Sequence, residues 1–169
     1  MIKSPYLILN VLVSCALLAS PSLSETSNEA ARLQQGRCPA IQPGVELRLV
    51  GLKNDKGTVR AQAYGSKDDF LKKGRWLVRA ESRVRSPTVT LCLSLPKPGR
   101  YAFAIRHDAN ANGKSDWNDG GGFSGNPRVS LWRRPTFSQT AVPVPPSSER
   151  ITIILNYRHG LSIGPATGG

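Results

Sequence analysis

Apolar and polar residues alternate with a period of two along much of the chain, which is the pattern of half-buried β-strands. The alternation is clearest at residues 45–49, 58–64 and 89–95. Residues 54–57 read Asn-Asp-Lys-Gly, a composition typical of turns. We therefore expect residues 45–64 to form a β-hairpin.

Further extended runs complete this pattern, and glycine and proline separate them from one another. These runs lie at residues 75–80, 100–107, 128–132, 136–144 and 151–157. Pro143 excludes a central strand in the fourth of them, because proline cannot donate a hydrogen bond to a sheet. No segment has the periodicity of an amphipathic helix. About seven short extended runs predict an all-β fold, an antiparallel β-sandwich.

The N-terminus has the features of a secretory signal peptide. Lys3 gives it a basic start, residues 6–19 form a short apolar run, and Ser22-Leu-Ser24 offers small residues for cleavage. The run is too short for a permanent membrane helix, and no later segment approaches that length, so we expect no transmembrane segment in the mature chain. The predicted organisation is a signal peptide at 1–24, a linker at 25–44, a β-sandwich domain at 45–158 and a flexible tail at 159–169.

A second interpretation of the N-terminus is a lipoprotein box, because Leu12-Val-Ser-Cys15 would place a lipid anchor on Cys15. The apolar run continues beyond this cysteine, so we prefer cleavage after Ser24. We expect the exported protein to be periplasmic or secreted.

Cysteine usage agrees with export. Removal of residues 1–24 takes away Cys15 and leaves Cys38 and Cys92, an even pair. Exported proteins meet an oxidising environment, so we predict a Cys38–Cys92 disulfide. Cys92 alternates with the leucines of its strand, and we therefore expect the disulfide to attach the N-terminal segment across the outer face of the sheet.

The chain is strongly basic. Its formal net charge is +12, and loss of Lys3 gives 12 − 1 = +11 for the mature chain. A charge of this size favours polyanionic partners. The basic residues lack the interleaved aromatics of a nucleic-acid surface, so we expect no nucleic acid. An envelope protein or an anionic polymer is the expected partner, although a solvated arginine-rich surface would explain the charge as well.

Residues 108–119 carry a regular series of oxygen-bearing side chains, Asp-x-Asn-x-Asn-Gly-x-x-Asp-x-x-Asp. The spacing matches a calcium loop of the EF-hand type, in which glycine makes the sharp turn and the seventh residue offers its backbone carbonyl. An all-oxygen set favours calcium over zinc or copper. We predict a structural calcium site whose ligands are Asp108, Asn110, Asn112, the carbonyl of Lys114, Asp116 and Asp119.

Two features of the loop depart from that pattern. Its last ligand is Asp119 instead of a bidentate glutamate, and a strand leads into it instead of a helix. We therefore expect weak calcium affinity, on the order of 10⁻⁴–10⁻³ M. The alternative is a turn at the end of a strand, in which Asp and Asn side chains cap their own backbone.

A hydrolase that uses His107, Asp108 and Ser124 is a further possibility. Neighbouring strand residues point to opposite faces, so His107 and Asp108 cannot readily act as base and orienting acid. Position 126 is asparagine where a nucleophile elbow around Ser124 needs glycine. We expect His107 to be structural and the protein not to be an enzyme.

Three segments, Gly99-x-Tyr-Ala-x-Ala, His107-Asp-x-Asn-x-Asn-Gly-x-x-Asp and Gly122-Phe-Ser-x-Asn, resemble a bacterial family called domain of unknown function 2141. The resemblance covers residues 45–157. It implies a transthyretin-like or immunoglobulin-like sandwich in small exported proteins of Gram-negative envelopes, without an established activity. Family members usually insert Gly-x-Pro-x-Glu-Gly before Gly-Phe-Ser, so Asp119 would have to replace that glutamate at an ion.

The sequence therefore favours an exported β-sandwich module with a structural calcium loop, which acts by binding. A basic, polyanion-binding envelope protein without a metal site is the first alternative. A hydrolase is the second.

Overall fold

The computed structural model describes residues 36–166, which form ten strands and one helical turn. The predicted signal peptide, Cys15 and most of the predicted linker lie outside these residues. The helical turn is α1 (Phe137–Thr140). The strands are β1 (Gly44–Val50), β2 (Thr58–Tyr64), β3 (Val78–Arg83), β4 (Val89–Ser94), β5 (Gly99–Asp108), β6 (Gly120–Phe123), β7 (Ala141–Val144), β8 (Ser148–Ile154), β9 (Asn156–His159) and β10 (Ser162–Pro165).

The strands form two sheets that pack face to face, which confirms the predicted all-β sandwich. The smaller sheet has the order β4-β1-β8, with β1 antiparallel to β4 and parallel to β8. The larger sheet has seven strands in the order β10-β9-β6-β5-β2-β3, and β7 pairs with β5 beside this path. All pairs in the larger sheet are antiparallel.

The predicted hairpin at residues 45–64 is wrong, although both of its strands exist. β1 belongs to the three-stranded sheet, and β2 pairs with β3 and β5 in the other one. Alternation shows which face of a strand is buried, but it does not identify the strand's partner. Residues 51–57 carry the chain from one layer of the sandwich to the other.

The core lies between the sheets, where alternate residues of each strand meet. Leu47, Leu93 and Ile153 contribute from the small sheet, and Phe103 and Ile105 contribute from the large one. The first four of these are fully buried. Burial of such side chains contributes about 1.5–3 kcal/mol each, which stabilises the packing of the two sheets.

The predicted disulfide between Cys38 and Cys92 is present. Cys92 lies opposite Glu46 on the outer face of the small sheet, and the backbone N–H of Cys38 donates to a carboxylate oxygen of Glu46 at 3.3 Å. Gly36 has a positive φ of 72° and lies against the backbone of Thr90. The segment before β1 is thus attached across the outer face of the sheet, as the sequence predicted.

Three segments differ from the sequence reading in detail. Residues 128–132 form no strand, and α1 replaces the first part of the run predicted at 136–144. Pro143 lies in β7, opposite Arg100 of β5, and among the described residues β7 has no second neighbouring strand, so Pro143 is in an edge strand and not in a central one. Beyond β9, within the predicted tail, β10 folds back as an edge strand.

Candidate functional site

The loop at residues 108–119 joins two strands that are neighbours in the large sheet. β5 ends at Asp108, and β6 begins at Gly120 and pairs back onto it, with His107 opposite Gly120. Alternation along β5 places Ile105 and His107 in the core and Arg106 on the outer face. Both ends of the loop are therefore fixed by the sheet.

Asp108 caps the backbone of the loop from within. Its Oδ1 accepts from the N–H of Asn112 at 3.2 Å, and its Oδ2 accepts from the N–H of Gly113 at 2.8 Å. Gly113 has a positive φ of 74°, which is the glycine-favouring conformation expected at the sharp turn. Ala111 shares that conformation with a φ of 56°, so the turn holds a non-glycine residue in a disfavoured region.

A second cluster forms around Asp116. The side-chain amides of Asn110 and Asn112 each donate to Asp116 Oδ2 at 2.8 Å, and the N–H of Asn118 donates to Oδ1 at 2.9 Å. These donors, the Asn110 amide above all, lower the pKa of Asp116 below its usual value. The amide oxygens of Asn110 and Asn112 accept backbone N–H groups two residues on. This is the side-chain capping that the turn interpretation predicted.

The guanidinium of Arg106 lies at the centre of the remaining predicted ligands. Its Nε donates to Asp119 Oδ2 at 3.0 Å, and its Nη2 lies 2.9 Å from the same oxygen and 3.4 Å from Asp108 Oδ2. Nη2 also donates to the carbonyl of Lys114, and Nη1 donates to that of Gly113 at 3.5 Å. Sequence reasoning missed Arg106, yet its position two residues before Asp108 on one strand face would have placed both side chains together.

The six predicted ligands thus fall into two groups. Asp108, the Lys114 carbonyl and Asp119 surround the guanidinium, whereas Asp116 gathers the two asparagines. The groups are linked where the N–H of Asp116 donates to Asp119 Oδ2 at 3.3 Å. Within residues 36–166, no three His, Cys, Asp or Glu side chains are close enough to hold a metal ion. In the same part of the chain, Asp119 Oδ1 is the one buried side-chain oxygen or nitrogen without a hydrogen-bond partner.

His107 is fully buried and both of its ring nitrogens are engaged. Nε2 lies 2.8 Å from the carbonyl of Lys56, so it carries the hydrogen and donates. Nδ1 lies 2.6 Å from the Tyr157 hydroxyl, from which it accepts. Burial raises the pKa of Tyr157 to about 12, which keeps that hydroxyl protonated. Gly120 leaves room for the Tyr157 ring, because a Cβ at position 120 would overlap that ring.

Ser124 is also fully buried, and its hydroxyl serves the backbone. The hydroxyl oxygen accepts from the N–H of Phe103 at 2.9 Å and donates to the carbonyl of Thr140. Within the part of the chain that the structure describes, His107, Asp108 and Ser124 make no hydrogen bond to one another. The residues of the hydrolase alternative are therefore not joined as a catalytic unit.

A cleft of about 410 Å³ lies beside the loop. Gln62 and Phe123 form part of its floor, on strand positions that alternate with the buried core. Val129, Ser130 and residues 133–135 also line it, and Asp119 belongs both to the loop and to the cleft lining. The Arg158 guanidinium also lines the cleft and lies 3.3 Å from the ring centroid of Trp117, which belongs to the loop. Asp119 is therefore the residue that loop and cleft have in common, and Arg158 connects the cleft to Trp117 of the loop.

Comparisons with known proteins place the chain in a family without assigning an activity. No curated protein and no solved structure matches it. Among the described residues, none of the helical structure is long and apolar enough to cross a bilayer. A family model described as "Uncharacterized protein conserved in bacteria (DUF2141)" matches residues 47–152, which is more than half of the chain and includes the whole loop. The chain belongs to this family, domain of unknown function 2141.

Proposed function

We propose that this protein acts outside the cytoplasm, in the periplasm or envelope of a Gram-negative bacterium, as a binding module whose loop 108–119 is ordered by calcium. The observation that carries the proposal is the convergence of two buried carboxylates and a backbone carbonyl on a single cation, the guanidinium of Arg106. The disulfide supports an oxidising compartment.

The donor set around Arg106 suits calcium. Asp108 and Asp119 offer carboxylates, and Lys114 offers a carbonyl, all of which are hard oxygen ligands. Asp119 Oδ1 is buried without a hydrogen-bond partner, so this oxygen has an unused ability to bind a cation. Calcium would enter where the guanidinium lies, and Asp116 with its two asparagines would complete the coordination. When bound, the ion supplies rigidity to the loop.

Local charge also favours a divalent ion. Three carboxylates, those of Asp108, Asp116 and Asp119, lie within one loop, and one guanidinium balances them. With a monovalent cation the three carboxylates keep a formal charge of −2, whereas with calcium they would keep −1. Competition with Arg106 explains why the expected affinity is weak, on the order of 10⁻⁴–10⁻³ M.

Binding is favoured over catalysis because the candidate nucleophile and base are committed elsewhere. The Ser124 hydroxyl bonds two backbone groups, and both nitrogens of His107 have partners. A nucleophile needs a free hydroxyl within reach of its base. The expected partner is an envelope protein or an anionic polymer. Asp119 belongs to both the loop and the cleft lining, so an ordered loop would help to shape that surface.

The test is a calcium titration by calorimetry, on protein expressed from the full-length sequence and purified after export, with melting temperatures in calcium and in EDTA. We expect saturable binding and a higher melting temperature in calcium. Asp116→Asn should weaken calcium binding, whereas Asp68→Asn, which removes an exposed carboxylate elsewhere, should not. No heat of binding at millimolar calcium, or equal weakening in both variants, would refute the site.

A further inference from the structure

We propose that the cleft beside the loop binds a single-chain anionic amphiphile, meaning an acyl chain that ends in a carboxylate. The inference rests on the proposal that the protein acts by binding, and it identifies the chemical class of the ligand. It does not require calcium, because every lining residue of the cleft except Asp119 lies outside the loop.

The inner surface of the cleft is mainly apolar. Its lining includes the apolar residues Leu71, Phe123, Val129, Pro135 and Ile163. Its volume of about 410 Å³ is within the range of roughly 300–1,000 Å³ that is usual for small-molecule sites. The volume is at the low end of that range, which fits one chain better than a lipid with several.

The charged groups of the cleft select an anion. Arg133, Arg134 and Arg158 line it, and the one acidic lining residue, Asp119, already pairs with Arg106. Among residues 36–166, neither Arg133 nor Arg134 forms an ion pair. The planar fork of an arginine matches a carboxylate in a bidentate pair, so these two side chains are suited to the head group.

Leu71 is in an unusual conformation for a leucine. Its φ of 59° lies in the left-handed region, which crowds a Cβ. The side chain nevertheless lines the cleft. Backbone strain of this kind is concentrated at ligand sites, where it is retained because it positions a side chain for the ligand. Asparagine tolerates the same conformation, so Leu71→Asn removes apolar surface without new strain.

The experiment is calorimetry of the full-length-expressed protein in EDTA with laurate below its micelle concentration. Glycerol monolaurate, which keeps the chain without the charge, and butyrate, which keeps the charge with a short chain, are the matched ligands. We expect saturable binding of laurate, and binding of each of the other two that is weaker by about tenfold or more.

Variants locate the site. Arg133→Gln with Arg134→Gln should weaken laurate binding about tenfold or more, the loss expected for charge-assisted hydrogen bonds. Arg83→Gln with Arg85→Gln removes the same charge from exposed positions outside the lining and should change little. Leu71→Asn should weaken binding while the melting temperature does not fall.

Three results would overturn the proposal. These are equal affinity for laurate and glycerol monolaurate, equal effects of the two double substitutions, and binding only to heparin or to anionic phospholipid vesicles. A calcium titration on the same preparation reports the loop separately. Saturable calcium binding without laurate binding would therefore refute the cleft ligand and leave the calcium loop standing.

Discussion

Arg106→Gln tests how the loop is held when no calcium is present. The Arg106 side chain is 23% exposed, and its two partners Asp108 and Asp119 are 7% and 6% exposed. The substitution keeps a side chain of similar reach but removes the positive charge between two buried carboxylates. The substitution should affect Asp119 more than Asp108, because the second carboxylate oxygen of Asp119, Oδ1, has no hydrogen-bond partner.

The magnitude follows from this burial. Removing one partner of a buried ion pair costs about 3–5 kcal/mol, because the other charge stays buried and unpaired. Asp108 keeps its two backbone donors and Arg106 is partly exposed, so we expect the lower end, about 3 kcal/mol. The matched control is Arg60→Gln. Arg60 lies directly opposite Arg106 on β2 and pairs with exposed Glu81, so its loss should cost under about 1 kcal/mol.

The assay is urea unfolding followed by tryptophan fluorescence, in EDTA and in about 10 mM calcium. With dissociation constants of about 10⁻⁴–10⁻³ M, calcium should stabilise the unmodified chain by about 1.4–2.7 kcal/mol. Arg106→Gln removes the competing cation, so its calcium affinity should rise and calcium should restore much of the lost stability.

Two outcomes would refute this reasoning. Arg106→Gln and Arg60→Gln could prove equally stable in EDTA, which would mean that the guanidinium does not hold the loop. Alternatively, calcium could bind Arg106→Gln no more tightly than it binds the unmodified chain. The guanidinium and the ion would then occupy different places.

Other parts of the fold allow independent predictions. Burial raises the pKa of Tyr157 to about 12, above the usual value near 10, so folding favours the protonated hydroxyl. The free energy of unfolding should therefore fall as the pH rises from about 10 to 12. Tyr157→Phe should remove that part of the pH dependence of the urea midpoint. Replacing both Cys38 and Cys92 by serine should lower the free energy of unfolding by about 4 kcal/mol, because the bond closes a span of 54 residues. Gly122→Ala should cost about 1–3 kcal/mol, because its Cβ would lie 2.7 Å from a core methyl group, whereas Gly121→Ala meets only one backbone oxygen at 3.2 Å and should cost less. Thermal melts compare the glycine pair.

Much of the fold was predictable because period-two alternation reports burial directly. It located β1, β2, β4 and β5 and placed Cys92 on the outer face. Strand pairing was not predictable in the same way. The turn-like Asn-Asp-Lys-Gly at residues 54–57 suggested a hairpin, yet the segment connects two sheets, because a turn's composition does not fix the direction of the chain that leaves it.

The loop was predictable from its residue spacing, but its electrostatics were not. Spacing identified the loop, and Gly113 takes the expected conformation. The cationic group at the centre of the loop belongs to Arg106, which precedes the calcium-loop spacing and is not part of it. The asparagines cap the backbone and hold Asp116, since the same side chains that can bind an ion also satisfy turns.

The most direct test of calcium ordering is the nuclear magnetic resonance signal of the Arg106 Nε–H group during a calcium titration. This group donates to Asp119 Oδ2 at 3.0 Å, so its signal reports the bond that calcium would replace. We predict a saturable shift toward the position of a solvent-exposed arginine, with the same midpoint as the calorimetric titration. An Arg106 signal that stays unchanged through about 10 mM calcium, well above the expected dissociation constant, would contradict calcium binding in the loop.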